Sequence, residues 1–182
     1  MSIQIEWQIM TVEIVPFQDK YSDYFYDLNY DWLNEYFYVE DYDEKVLRNC
    51  KEEIIDKGGH IFFAIFKSQV VGTMALIPRK EGIYELNKMA VKKDLRGNGI
   101  GHQLIKFIID YSVNNHFKSV ILYSNTVLKN SIHLYNKFGF KEIDNPDAPY
   151  ERSDIKMELK LSNLWKQFTF PICPRVFFCK YI

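Results

Sequence analysis

The alternation of apolar and polar residues changes period several times along the chain, and each change predicts an element. From Thr11 to Phe17 the period is two and breaks at Pro16, a short strand. Between Asp19 and Tyr38 the residues Tyr21, Tyr24, Phe25, Leu28, Trp32 and Tyr36 recur at helical spacing, which predicts one or two helices packed by an aromatic stripe. Asp43 reads as the N-cap of a further helix, Glu44 to Asp56, which Gly58-Gly59 ends. Three strand-like runs follow: His60 to Lys67, Val70 to Pro78 and Ile83 to Val91. Their connections, Ser68-Gln69 and Arg79 to Gly82, are short enough for antiparallel hairpins. Helical period returns from Asn98 to Asn114 and again from Leu128 to Phe138, closed by Gly139, with a buried strand at Ser119 to Ser124 between them. Phe140 to Ile143 and Arg152 to Leu161 read as late strands around Asp144-Asn145-Pro146-Asp147.

That order (β, α, α, β, β, β, α, β, α, β, β) predicts an α/β fold of the mixed α+β kind. A three-strand meander precedes the alternating part, so the sheet is mixed and not all-parallel. No repeat or Gly/Ser/Pro-rich linker divides the chain, and one domain is expected over residues 10–161. Residues 1–9 read as a leader. Residues 162–182 are apolar and aromatic with two prolines; a docked extension, a homodimer contact and a loose tail all fit them.

Composition narrows the class. With 182 residues, 47% hydrophobic and 26% charged, the chain can bury a core large enough to fold without staples. No apolar run reaches the roughly 20 residues of a membrane span, and no secretory leader is visible, so a cytoplasmic protein without a membrane partner is expected. Cys50, Cys173 and Cys179 have no metal-type spacing, nor do the four histidines, so no metal is expected. Net charge −1 without a contiguous basic stripe argues against nucleic acid. The charge is unevenly divided: residues 18–57 carry a net −7 and residues 58–182 a net +8.

The segment with the most chemistry is Val91-Lys92-Lys93-Asp94-Leu95-Arg96-Gly97-Asn98-Gly99-Ile100-Gly101-His102, where a strand gives way to a glycine-rich turn that opens a helix. Glycines let an anion approach the backbone, and first-turn N–H groups with the helix dipole favour it. A nucleotide P-loop would need Lys-Ser or Lys-Thr where His102-Gln103 stands, and the dinucleotide fingerprint lacks its third glycine.

Arg96-Gly97-Asn98-Gly99-Ile100-Gly101 instead resembles the acyl-CoA pyrophosphate signature of the Gcn5-related N-acetyltransferase (GNAT) family. Tyr84 to Val91 is similar to that family's fourth strand, and Asn130 to Phe140 to its Asn…Leu-Tyr…Gly-Phe segment. The resemblance covers about Val12 to Leu161. It implies a mostly antiparallel mixed sheet flanked by helices, with strands 4 and 5 splayed around acetyl-CoA, the co-substrate. Main-chain groups around Met89, Ala90 and Val91 would hold the pantetheine arm, and N–H groups from Arg96 through Gly101 would hold the pyrophosphate. His102 would be a further contact there, and Asn130 would touch the arm. Tyr135 would protonate the leaving thiolate, and Glu85 would be the base, directly or through water. A packing tyrosine and a structural carboxylate are the plainer readings of those two residues.

The resemblance also places the first helices over the acceptor side, with Trp32, Tyr36 and Tyr38 lining the pocket. Glu35, Glu40, Asp41 and Asp43, with the −7 of their segment, would then attract a cationic acceptor. The implied activity is direct acetyl transfer to a small-molecule or peptide amine in a ternary complex. The alternative is a non-catalytic acyl-CoA-binding module of the same fold.

Overall fold

In the computed structural model the described residues are 10–144 and 150–161; the leader 1–9 and the aromatic stretch 162–182 lie outside them. The chain runs β1 (Glu13–Pro16), α1 (Ser22–Tyr36), α2 (Asp41–Arg48), β2 (His60–Phe66), β3 (Gln69–Lys80), β4 (Ile83–Val91), α3 (Ile100–Asn114), β5 (Ser119–Ser124), α4 (Lys129–Lys137), β6 (Lys141–Ile143) and β7 (Ile155–Lys160). The seven strands form one sheet in the order β1-β2-β3-β4-β5-β7-β6. Every neighbouring pair is antiparallel except β4–β5. Among the described residues no helix is long and apolar enough to cross a membrane.

Both faces of the sheet are covered, which explains the unbroken apolar run Ile61-Phe62-Phe63-Ala64 in β2. Phe62 and Ala64 face Ile100, Leu104, Ile105 and Ile108 of α3. Ile61 and Phe63 face Phe25 and Leu33 of α1 and Val46 and Leu47 of α2. The β2–β3 hairpin turns on Lys67 and Ser68, both at positive φ, one residue before the expected Ser68-Gln69. A pair of left-handed residues matches the twist of a two-residue hairpin. β3 runs past Pro78 to Lys80, so the next turn shortens to Glu81 and Gly82.

Two irregularities in β4 open the sheet. Its pairing with β5 covers only Ile83–Ser119, Tyr84–Val120 and Glu85–Ile121, after which the parallel strands part. Against β3, Thr73 pairs with Ala90 and Ala75 with Asn87, so Lys88 and Met89 of β4 stand opposite the single Met74 of β3. The bulge contains Lys88, whose φ is +50°, an uncommon conformation for a side-chain-bearing residue.

Asp43 is not the N-cap that its position suggested. The helix starts at Asp41 behind Glu40 and gives way to a wider turn at Lys51–Ile55. Asp43 sits in the first turn, its carboxylate accepting a 3.4 Å bond from the Glu40 N–H. The side chain is 0% exposed and pairs with Lys88 and with Arg152, whose NH1 lies 2.8 Å from Oδ2. Local capping chemistry cannot anticipate two cations arriving from 45 and 109 residues away. Burial opposes ionisation of Asp43, but Lys88 and Arg152 outweigh it and hold the carboxyl below the usual aspartate value.

That carboxylate ties α2 to the β4 bulge and to the turn before β7. Asp43→Ala should therefore cost about 3–5 kcal/mol in urea unfolding, because the buried Lys88 loses its counter-charge and Arg152 keeps only Glu40. A carboxylate with a depressed folded pKa stabilises fully above its unfolded value, about pH 4, and loses that contribution as pH falls through the folded value. The wild type should accordingly lose more stability than the variant between pH 5 and pH 3.

Candidate active site

Where β4 and β5 part they leave a cavity of about 290 Å³. Its walls are the outer half of β4, the end of β5, one face of α1, the glycine turn before α3, and α4. The glycine turn is shaped by two left-handed residues, Gly97 at φ +82° and Gly99 at +81°, the latter immediately preceding α3. A Cβ at Gly97 would meet nothing within 4 Å, so that position faces open space. Successive N–H groups around such residues form a concave anion cradle at a helix N-terminus.

Met89, Ala90, Val91, Arg96, Gly97, Ile100, Gly101, Asn130, Tyr135, Glu85 and Trp32 all line the cavity. Asn98, Gly99 and His102 stand outside the lining. The Asn98 side chain donates to the Leu95 and Arg96 carbonyls (3.1 and 3.3 Å), tightening the turn. The exposed His102 ring lies against Phe138, centroids 4.6 Å apart. Arg96 donates from Nε to the Val91 carbonyl (2.9 Å) and from NH1 to Glu35 (2.9 Å) and the Tyr36 hydroxyl (3.2 Å).

Tyr36 and Tyr38 also lie outside the lining and are exposed. Tyr36 packs on Trp32 with centroids 5.3 Å apart, and Tyr38 donates to Glu151 (3.0 Å). The face of α1 that reaches the cavity carries Asn29, Trp32 and Leu33, so Tyr36 falls on its flank.

Tyr135, on α4, packs near Phe140 (centroids 5.9 Å). Burial pushes its phenol up to about 12. Glu85 is 1% exposed and its carboxylate is fully engaged. Arg79 donates to Oε2 from Nε at 2.5 Å, and its NH2 forms an ion pair with the same oxygen at 2.5 Å. Oε1 accepts from Asn87 Nδ2 (2.7 Å) and the Tyr150 hydroxyl (3.1 Å). The same hydroxyl accepts from Asn87 (2.7 Å) and Arg79 (3.3 Å). Burial pushes Glu85 above the ordinary glutamate value, against the pull of Arg79, and pushes the Tyr150 phenol well above its own.

Sequence reasoning missed Asn87, Lys88, Tyr150 and Arg152 in the lining, and Arg79 behind it. Asn87 carried a usable signal, since it is two residues from Glu85 on the same strand face. Tyr150 and Arg152 carried none; they stand just before β7 and reach the cavity where β7 pairs with β5.

The acidic count over residues 18–57 does not become an acidic cavity. Glu40 and Asp43 are bound to Arg152, and Glu35 to Arg96 and Lys93. Among the described residues the charged ones in the lining are Glu85, Lys88, Arg96 and Arg152, three of them cations. A count along the chain omits the partners that distant segments bring, which is why the expectation of a cation-attracting wall fails.

The profile of the acetyltransferase (GNAT) family matches residues 26–140. Among curated proteins, N-acetylaspartate synthetase of Xenopus tropicalis is 32% identical over 88 residues, 47% of this chain and 32% of the relative. Probable N-acetyltransferase 14 of the same species is 31% identical over 83 residues, 44% of this chain and 40% of the relative. The chain thus aligns with only a third to two-fifths of the length of these relatives. Among solved structures, a GNAT-family acetyltransferase of Staphylococcus aureus Mu50 superposes with TM-score 0.75 at 21% identity, covering 83% of this chain and 99% of that one. The PaiA N-acetyltransferase of Thermoplasma acidophilum in complex with coenzyme A gives 0.66 at 20%, covering 83% and 99%. At these identities the structural likeness speaks to the fold.

The Glu85 cluster generates a pH prediction. Arg79→Met leaves a buried carboxylate without its cation, so its folded pKa, already raised, rises further. A group with a raised folded pKa costs nothing while both states are protonated, and its penalty grows as pH climbs from about 4.3 through the folded value. The variant should be destabilised by about 2 kcal/mol or more at pH 8 and clearly less at pH 5, read from urea midpoints at both.

Proposed function

The chain belongs to the GNAT family of acetyltransferases, and from that premise we propose that it transfers the acetyl group of acetyl-CoA to a primary amine by direct attack in a ternary complex. The observation that carries this reading is one cavity that joins three features: the parted strands β4 and β5, the left-handed glycine turn, and the phenol of Tyr135. Relatives named as N-acetyltransferases, and one named for making N-acetylaspartate, support acetylation of an amine. The reading takes residues 10–161 as one catalytic domain working in the cytoplasm.

The residues fit acetyl-CoA. Beyond Glu85, the side of β4 that faced β5 has no strand partner, so main-chain groups through Met89, Ala90 and Val91 can pair with the pantetheine amides as with an added strand. The N–H groups from Arg96 through Gly101 suit the pyrophosphate. Arg96, now shared with Glu35, adds positive charge there. Asn130, exposed on the first turn of α4 and lining the cavity, reaches the arm from the opposite side.

Bound acetyl-CoA supplies an activated thioester. The chain must hold the amine against it, take one proton and give another. Tyr135 gives: with its phenol near 12 it keeps its proton throughout the neutral range, and it hydrogen-bonds to sulfur as negative charge develops there. Glu85 takes: it lines the cavity, and burial raises its proton affinity toward what a base at neutral pH needs. With both carboxylate oxygens engaged, a water must displace one of these donors before it can pass the proton to Glu85.

The test is release of free thiol from acetyl-CoA over a panel of amines. A protein that binds CoA and releases no thiol with any amine would be the non-catalytic binding module. Tyr135→Phe should lower kcat by about 10²-fold while acetyl-CoA affinity stays within a few-fold, since only the donor is lost. An unchanged kcat would assign the proton to water. Glu85→Gln should abolish the acidic limb of the pH–rate profile; a limb that tracks the acceptor's own pKa in both proteins would make Glu85 structural.

A further inference from the structure

The charges at the acceptor end of the cavity are arranged in depth. Lys88 and Arg152 belong to the lining, whereas their counter-ions Asp43 and Glu40 stand behind them. Glu85 shows the reverse order, with the carboxylate in the lining and Arg79 behind it. The cluster is close to neutral in sum. Its surface is not: it presents one anion and two cations to whatever enters.

The cations also keep unspent donors. Arg152 uses NH1 on Glu40 Oε1 (2.6 Å) and Asp43 Oδ2 (2.8 Å), and NH2 on Asp43 Oδ1 (3.0 Å). Of its five N–H groups, Nε–H and one on NH2 have no partner among the described residues. Lys88 bonds Asp43 Oδ1 with one of its three ammonium hydrogens. The two side chains are only 14% and 4% exposed, and the unpaired Arg152 Nε is not sealed from solvent. They converge on the same oxygen of Asp43, so one further small anion could meet both.

Tyr150 fixes the spacing between the two kinds of charge. Its hydroxyl donates to Glu85, and the Arg152 guanidinium lies over its ring, 5.2 Å from the centroid. A ligand spanning that one side chain would meet a carboxylate at one end and a guanidinium at the other.

We infer that the acceptor is a free amino acid, its carboxylate held by Arg152 and Lys88 and its amino group directed toward Glu85. The inference rests on the acetyl-transfer reading and names the acceptor class for it. A diamine or polyamine would bring a second ammonium against two cations, and a peptide N-terminus would offer them a neutral carbonyl, which accepts a hydrogen bond but brings no counter-charge.

The experiment measures thiol release by the full chain with acetyl-CoA over matched triples: an amino acid, its amide and its decarboxylated amine. The triples are built on alanine, aspartate, glutamate, phenylalanine and lysine, with spermidine added. The best acceptor should be an acid that exceeds its own amide and amine by about tenfold or more in kcat/KM, the scale of a hydrogen-bonded charge contact. A best acceptor that is an amide, an amine or spermidine would overturn the inference and leave acetyl transfer standing. No thiol release with any member would overturn the transferase reading and this inference with it. Arg152→Lys keeps the charge beside Asp43 but loses the fork. It should raise KM for the acid several-fold more than for its amide, with KM for acetyl-CoA unmoved. Equal changes for acid and amide would make Arg152 structural and overturn the assignment.

Discussion

The carboxylate of Asp43 holds together three parts of the molecule that lie far apart along the chain. Lys88 belongs to a strand, Arg152 to a turn more than sixty residues later, and Asp43 to the short helix that follows α1. Removing three charged groups from water is costly, and the mutual attraction offsets that cost only when the geometry is met. The consequence is positional more than energetic. The bulge in β4 stays in register with α2, and the turn before β7 is drawn against the cavity.

The bulge bears on the opening of the sheet. A residue with a side chain at φ +50° is strained, and such a conformation persists where surroundings over-determine it. Here the surroundings are a ladder to β3 on both sides of the bulge and an ammonium locked to a buried aspartate. With that half of β4 re-aimed, β5 pairs with it over three residues only. The gap between them is the cavity, so a local distortion and a distant ion pair together shape the surface on which chemistry would occur.

Front-to-back ordering of charge follows from the same packing. Each buried ion needs a counter-ion, but which partner reaches the cavity wall depends on the element that supplies it. α2 stands behind Lys88 and Arg152, so its acids become the rear layer. Arg79, on β3 beside Glu85, leaves the carboxylate in front. Neither order shows in a charge count, which gives the acceptor side a net −7 where the lining is mostly cationic.

The sequence by itself determined what depends on neighbours along the chain. β4 and β5 fall at the expected residues, because apolar period and flanking turn residues are local properties. The glycine turn was legible for a similar reason: positive φ at Gly97 and Gly99 restricts the residue type there. Glu85, Tyr135 and Asn130 were found through motif positions, and all three reach the cavity. Only the tertiary structure decided who faces whom. Asp43 looked like a cap and became a hub, Tyr36 and Tyr38 looked like pocket walls and stand on the rim, and Tyr150 and Arg152 gave no local sign at all. Their roles come from strand pairing and ion pairing across scores of residues, and the energy of a buried charge depends on partners that no window of sequence contains.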